Sequence, residues 1–124
     1  MSQKKKILLV DDSRTVLLMH QLLLADRGYE LITARDGQDA MDLALAERPD
    51  IIFMDVLMPR MDGYAACQAL RAHESTQHIP IIMVTTRGEP HNVQRGFESG
   101  CSAYMTKPFN SNELLDKLER YLCQ

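Results

Sequence analysis

The chain has 124 residues, one domain's length, with 45% apolar and 25% charged residues and a net charge of -3. That balance excludes a disordered chain, and with no basic stripe or helix-turn-helix pattern it argues against a nucleic-acid partner. The Lys4-Lys5-Lys6 run precedes only four apolar residues, too few for a signal core or a membrane span, so no membrane partner and a cytoplasmic location are expected.

The first apolar run, Ile7 to Val10, reads as a strand that delivers the chain to Asp11-Asp12. Ser13 is a plausible N-cap for a helix carrying Val16, Leu17, Met19, His20, Leu23 and Leu24 at helical spacing, with Gly28 as its stop. Within it His20 reads as a packing residue. Leu31 to Ala34 is a second strand. Asp36-Gly37 turns the chain into a helix through Ala40, Met41, Ala44 and Leu45 that ends before Pro49. Ile51 to Met54 is a third strand and ends on Asp55. A loop through Pro59 and Gly63 leads to a helix with Tyr64, Cys67, Leu70 and Arg71. Pro80 opens a fourth strand, Ile81 to Val84, which ends on Thr85. Pro90 suits the first turn of a fourth helix and Gly100 its end. Ala103 to Thr106 is a fifth strand, ending on Lys107. Asn110, with Glu113 three residues on, caps a last helix striped by Leu114, Leu115, Leu118, Tyr121 and Leu122.

Five β–α units whose first, third and fourth strands are nearly all apolar imply a parallel sheet covered by helices on both faces. Such a sheet reverses its winding once, and ligands bind beyond the carboxyl ends of the strands at that reversal. Asp11, Asp12, Asp55, Thr85 and Lys107 all lie at carboxyl ends of strands. A lone strand-end Asp usually caps or turns. Three brought together repel, by about 1 to 4 kcal/mol for each pair at 4 Å, and a cation resolves the conflict. Mg²⁺ (or Mn²⁺) fits best, because hard oxygen donors suit it and it accepts one or two carboxylates plus a phosphate. Asp12 and Asp55 are candidate direct ligands, and Asp11 a ligand through water. The Asp55 carboxylate can then attack phosphorus, with Lys107 and the Thr85 hydroxyl on the phosphoryl oxygens. The three cysteines, Cys67, Cys101 and Cys123, show no metal spacing and read as reduced thiols.

Leu9-Val10-Asp11-Asp12-Ser13, the run from Met54 to Gly63, Val84-Thr85-Thr86 and the run from Tyr104 to Phe109 together resemble the receiver domain of bacterial two-component response regulators. The resemblance extends from about Lys5 to Leu122. It implies an α/β, flavodoxin-like, doubly wound five-stranded parallel sheet in the order 2-1-3-4-5. It implies that Asp55 is the phosphoacceptor and that Asp11, Asp12, Asp55 and the backbone carbonyl of Leu57 hold Mg²⁺. The Lys107-Pro108 bond is expected to be cis. Thr85 and Tyr104 are the implied switch, acting on the face of the fourth helix, fifth strand and fifth helix. Leu57, Thr86 and Arg87 are the tuning positions. Leu57 cannot hydrogen-bond an attacking water, so Leu57→Asn should shorten the phosphorylated lifetime, read as the decay of the adduct; an unchanged or longer lifetime would sink that expectation.

The function so implied is a signalling protein and not an enzyme, beyond promoting its own phosphorylation and dephosphorylation. A sensor histidine kinase or histidine phosphotransfer protein would supply the phosphoryl group, and a downstream protein target would read the switch. The alternative is a phosphorelay intermediate. Residues 1–124 are expected to be a single receiver domain without an output domain, monomeric or dimerising on phosphorylation. A Mg²⁺-dependent phosphatase with an Asp nucleophile would need a second acid two residues later, where Leu57 stands.

Overall fold

The structure is a computed structural model that describes residues 4–56, 61–86, 90–107 and 109–122. Five strands and five helices alternate: β1 Lys6–Val10, α1 Arg14–Leu24, β2 Glu30–Ala34, α2 Gly37–Glu47, β3 Ile51–Asp55, α3 Gly63–Ala72, β4 Ile81–Thr86, α4 Pro90–Glu98, β5 Ala103–Lys107 and α5 Ser111–Leu122. The strands form one sheet in the order β2-β1-β3-β4-β5, and every pairing is parallel.

Alternation along the strands builds two cores, one on each face. Leu8, Val10, Ile52, Met54, Ile81 and Met83 pack with Ala40 and Ala44 of α2 and with Tyr64, Cys67 and Leu70 of α3. Ile7, Leu9, Ile51, Phe53, Ile82 and Val84 pack with Leu17 and Leu24 of α1 and Leu114 and Leu118 of α5. This is why the central strands β1, β3 and β4 carry no polar residue until their ends: there each side chain meets a helix whichever way it points. Among the described residues no helix is long and apolar enough to cross a membrane.

The helix ends follow local chemistry, with one departure from expectation, at the end of α1. Ser13 caps α1, its Oγ accepting from the Val16 N–H at 3.2 Å. The Asn110–Glu113 box caps α5, with the Glu113 N–H donating to Asn110 Oδ1 at 2.9 Å. α4 closes on Gly100 at φ +103, where the Cys101 N–H reaches back to the Gly96 carbonyl and the Gly100 N–H to that of Phe97. α1 stops at Leu24, short of Gly28: Ala25 already leaves the helical region at ψ 142, and Asp26 follows it in the left-handed region at φ 62. α2 ends on Arg48, a residue with a side chain at φ 49, because the following Pro49 disfavours the right-handed helical region there.

Arg71, read from sequence only as part of a helix, is a clamp. Its guanidinium donates to the carbonyls of Gly100, Gln77 and Ile79 at 2.7, 2.9 and 2.6 Å and to Ser102 Oγ at 3.2 Å. It thereby joins the end of α3 to the segments leading into β4 and β5.

Candidate functional site

The sheet reverses its winding between β1 and β3, which are hydrogen-bonded neighbours with Val10 opposite Met54. Asp11 follows β1 directly and Asp55 ends β3, so the reversal sets these two carboxylates side by side. Asp12 joins them: one carboxylate oxygen from each of Asp11, Asp12 and Asp55 lies within 4.8 Å of the others. Lys107, at the end of β5, enters the same space. Its Nζ is 2.6 Å from Asp11 Oδ2 and 3.3 Å from Asp55 Oδ1.

The cluster is unevenly buried. Asp11 is 2% and Asp55 8% exposed, whereas Asp12 faces solvent. Asp11 is held from both sides, because its Oδ1 accepts from the Ser13 N–H at 3.0 Å while Lys107 takes Oδ2. Ser13 therefore caps α1 with its side chain and orients Asp11 with its backbone. Burial, reinforced by the Asp11 charge and only partly offset by Lys107, pushes the Asp55 carboxyl up to about 6. Burial would lower the Lys107 ammonium, but its hydrogen bond to Asp11 and the charges of Asp55 and Asp11 outweigh that and hold it above its ordinary value.

Asp55 is further fixed by α3. Asp62 caps that helix, accepting from the Ala65 N–H at 2.8 Å. A Cβ on Gly63 would overlap the Asp55 carbonyl oxygen, and the Gly63 N–H donates to Val56 O at 2.9 Å. Only glycine lets the helix begin so close to the strand end.

Thr85 is buried at the carboxyl end of β4, one strand over from Asp55, and pairs in register with Thr106. Thr86 pairs with Lys107 along the backbone. Tyr104 lies on the other face of β5, partly buried against the core beside α3. The hydroxyls of Tyr104 and Tyr64 are 2.9 Å apart. Tyr64 was read as an ordinary helix residue, and no local signal in the sequence pairs it with a residue 40 positions away. Leu57, Arg87 and Pro108, and with them the metal-ligating carbonyl, two tuning positions and the cis bond, lie outside the described residues, as does Cys123. Cys67 and Cys101 are free and buried, and burial pushes their thiols up to about 11 and 12. His20 packs as expected, stacked on Phe109 with ring centroids 4.7 Å apart. Met19, placed on the inner stripe of α1 by spacing, is instead 58% exposed, alongside Leu18 and Leu22.

The donor set suits a small hard cation: three carboxylates, two of them withdrawn from water, with an ammonium that offsets only part of their charge.

The response regulator receiver domain model matches residues 7–119, and the chain belongs to that family. It is 39% identical over 118 residues to the alkaline phosphatase synthesis transcriptional regulatory protein PhoP of Bacillus subtilis, covering 95% of this chain and 48% of that protein. It is 36% identical to the DNA-binding dual master transcriptional regulator RpaA of Synechocystis, covering 94% and 48%. Among solved structures, the chemotaxis protein CheY4 of Vibrio cholerae superposes with a TM-score of 0.89 at 39% identity, covering 96% of this chain and 99% of that one. The receiver domain of the sensor histidine kinase PA1611 of Pseudomonas aeruginosa has a TM-score of 0.91 at 31% identity, covering 98% and 99%, and carries a magnesium ion in its active-site cleft.

These relatives correct one expectation. The chain spans about half the length of the curated relatives it matches, and RpaA is DNA-binding by name. The expected lack of a nucleic-acid partner does not stand. The net charge of these 124 residues says nothing of what a longer regulator contacts.

Proposed function

We propose that this receiver accepts a phosphoryl group on Asp55 from a histidine kinase or histidine phosphotransfer protein, and that the modification changes the affinity of the α4–β5–α5 face for a protein partner. The observation that supports it most is the Lys107 ammonium spanning Asp11 and Asp55 at 2.6 and 3.3 Å in the crevice where the sheet reverses.

Asp11, Asp12 and Asp55, with the backbone carbonyl of Leu57, would hold Mg²⁺. When bound, it offsets their charge and that of the incoming phosphoryl group. The ionised Asp55 carboxylate attacks phosphorus. A P–O bond forms as the donor's P–N bond breaks, and the departing imidazole keeps the electron pair and takes up a proton. Lys107 shifts from a carboxylate partner toward a phosphoryl oxygen, and the Thr85 hydroxyl donates to another. No carboxylate follows two residues after Asp55, so the chain lacks the second acid that an aspartate-based phosphatase needs for rapid turnover. The donor has a surface to dock on. Met19 and Leu22 of α1 line an apolar groove with His20 and Phe109, and Lys107 lies at its edge.

Acetyl phosphate with Mg²⁺ should add about 80 Da, and peptide mapping should place it on Asp55. Chelation should abolish the adduct, and so should Asp55→Asn. An adduct that survives in Asp55→Asn, or none in the wild type, would overturn the proposal.

A further inference from the structure

Tyr104 and Tyr64 form a contact that the phosphoacceptor chemistry leaves unused. The Tyr104 ring meets α4 edge-on at Gly96, where a Cβ would overlap its Cε2, and its hydroxyl meets that of Tyr64 at 2.9 Å. Tyr64 is 3% exposed. The Arg95 guanidinium lies 4.5 Å from its ring centroid and 3.9 Å from Asp62, the cap of the same helix. Both tyrosines thus sit on elements that end at the phosphoryl site. Tyr64 follows Gly63, whose backbone abuts Asp55, and Tyr104 lies three residues before Lys107 on β5.

We propose that the Tyr64 hydroxyl is a positioning group: by holding Tyr104 in the Gly96 slot it fixes β5 against the first turn of α3, and so sets the spacing of Lys107 and Asp55 for a phosphoryl group. The physical basis is that Asp55 and Lys107 belong to different strands, β3 and β5, with β4 between them. Their separation depends on sheet register and on any cross-link outside the sheet. The hydroxyl pair is such a cross-link, made between the buried Tyr64 and the partly buried Tyr104. Burial also holds both phenols above their ordinary range, so the pair stays protonated throughout the working pH range.

The inference rests on the phosphoacceptor reading of Asp55. Its test is the concentration of beryllofluoride, a tetrahedral phosphoryl mimic, that half-saturates the thermal shift in excess Mg²⁺. Tyr64→Phe and Tyr104→Phe should each raise that concentration about fivefold, the size of one neutral hydrogen bond, and the double variant no further. Gly96→Ala, which crowds the ring and keeps both hydroxyls, should shift it the same way. Tyr121→Phe removes a hydroxyl bonded to Ser102 O at the other end of β5, and should lower the melting temperature without moving half-saturation. Nitration of Tyr104 by tetranitromethane should be several-fold faster in Tyr64→Phe. A wild type that ignores beryllofluoride overturns the phosphoacceptor reading and the coupling together. A responsive wild type matched by Tyr64→Phe, or losses that add in the double variant, overturns the coupling alone.

Discussion

Asp55→Asn should raise the melting temperature of the metal-free protein by roughly 10 °C at about pH 7.5, although it removes the proposed reacting group. The carboxyl goes from 3.8 when free to about 6 in the fold, pushed up by burial and by the Asp11 charge. Two pK units correspond to about 3 kcal/mol, set against folding whenever the group must be ionised. The sign follows from proton binding. Between about pH 4 and 6 the folded state binds more protons than the unfolded one, so the wild type loses stability as pH rises through that window and levels off above it. The asparagine variant carries no such loss. The two proteins should therefore melt together near pH 4 and separate by pH 7.5. Mg²⁺ should narrow the gap, because it binds the folded wild type and removes the repulsion, while the variant has lost a ligand. Thermal melts in chelator and in Mg²⁺ at both pH values are the measurement. A wild type that is the more stable at high pH without metal would refute the account.

Lys107→Met should act in the opposite direction, lowering stability by about 3 kcal/mol at neutral pH without metal, the usual consequence of removing one member of a buried ion pair. The side chains of Asp11 and Asp55 are only 3% and 10% exposed, so neither can recruit enough water to replace the ammonium. With Lys107 gone, Asp55 titrates higher still. The variant should regain stability on acidification toward about pH 5 more steeply than the wild type, and also on adding Mg²⁺. Because Lys107 contacts Asp55 directly, the two substitutions are coupled. Asp55→Asn combined with Lys107→Met should be far less destabilised than Lys107→Met alone. Denaturant titrations of the four proteins measure that coupling, and additive effects would show that the contact carries no energy.

These two side chains also show how far the sequence could be read. Asp55 and Lys107 were legible because each follows an apolar run too short to be anything but a buried strand, and parallel strands bring their carboxyl ends to one edge. Asp11 was legible for the same reason. Its unequal burial against Asp12 was not, since that depends on which carboxylate points into the crevice and which out of it. Helix ends were legible where a capping side chain acts within four residues, as at Ser13 and Asn110. They were misread at Gly28, because the chain leaves the helix at Ala25, three residues earlier. Met19 was misplaced because spacing alone defines a stripe, while the sheet decides how much of that stripe it covers.

By itself the sequence determined the alternation of strand and helix, the two-faced burial of the strands and the identity of the polar residues at their ends. Each of these follows from hydrophobic periodicity and local hydrogen bonding, forces that act over a few residues. Only the tertiary structure decided that Lys107 lies between Asp11 and Asp55, that Arg71 ties three segments together and that Tyr64 meets Tyr104. Those contacts join residues from 6 to 96 positions apart. Most of them depend on strand order and on the direction each side chain takes out of its element, and no local pattern encodes either.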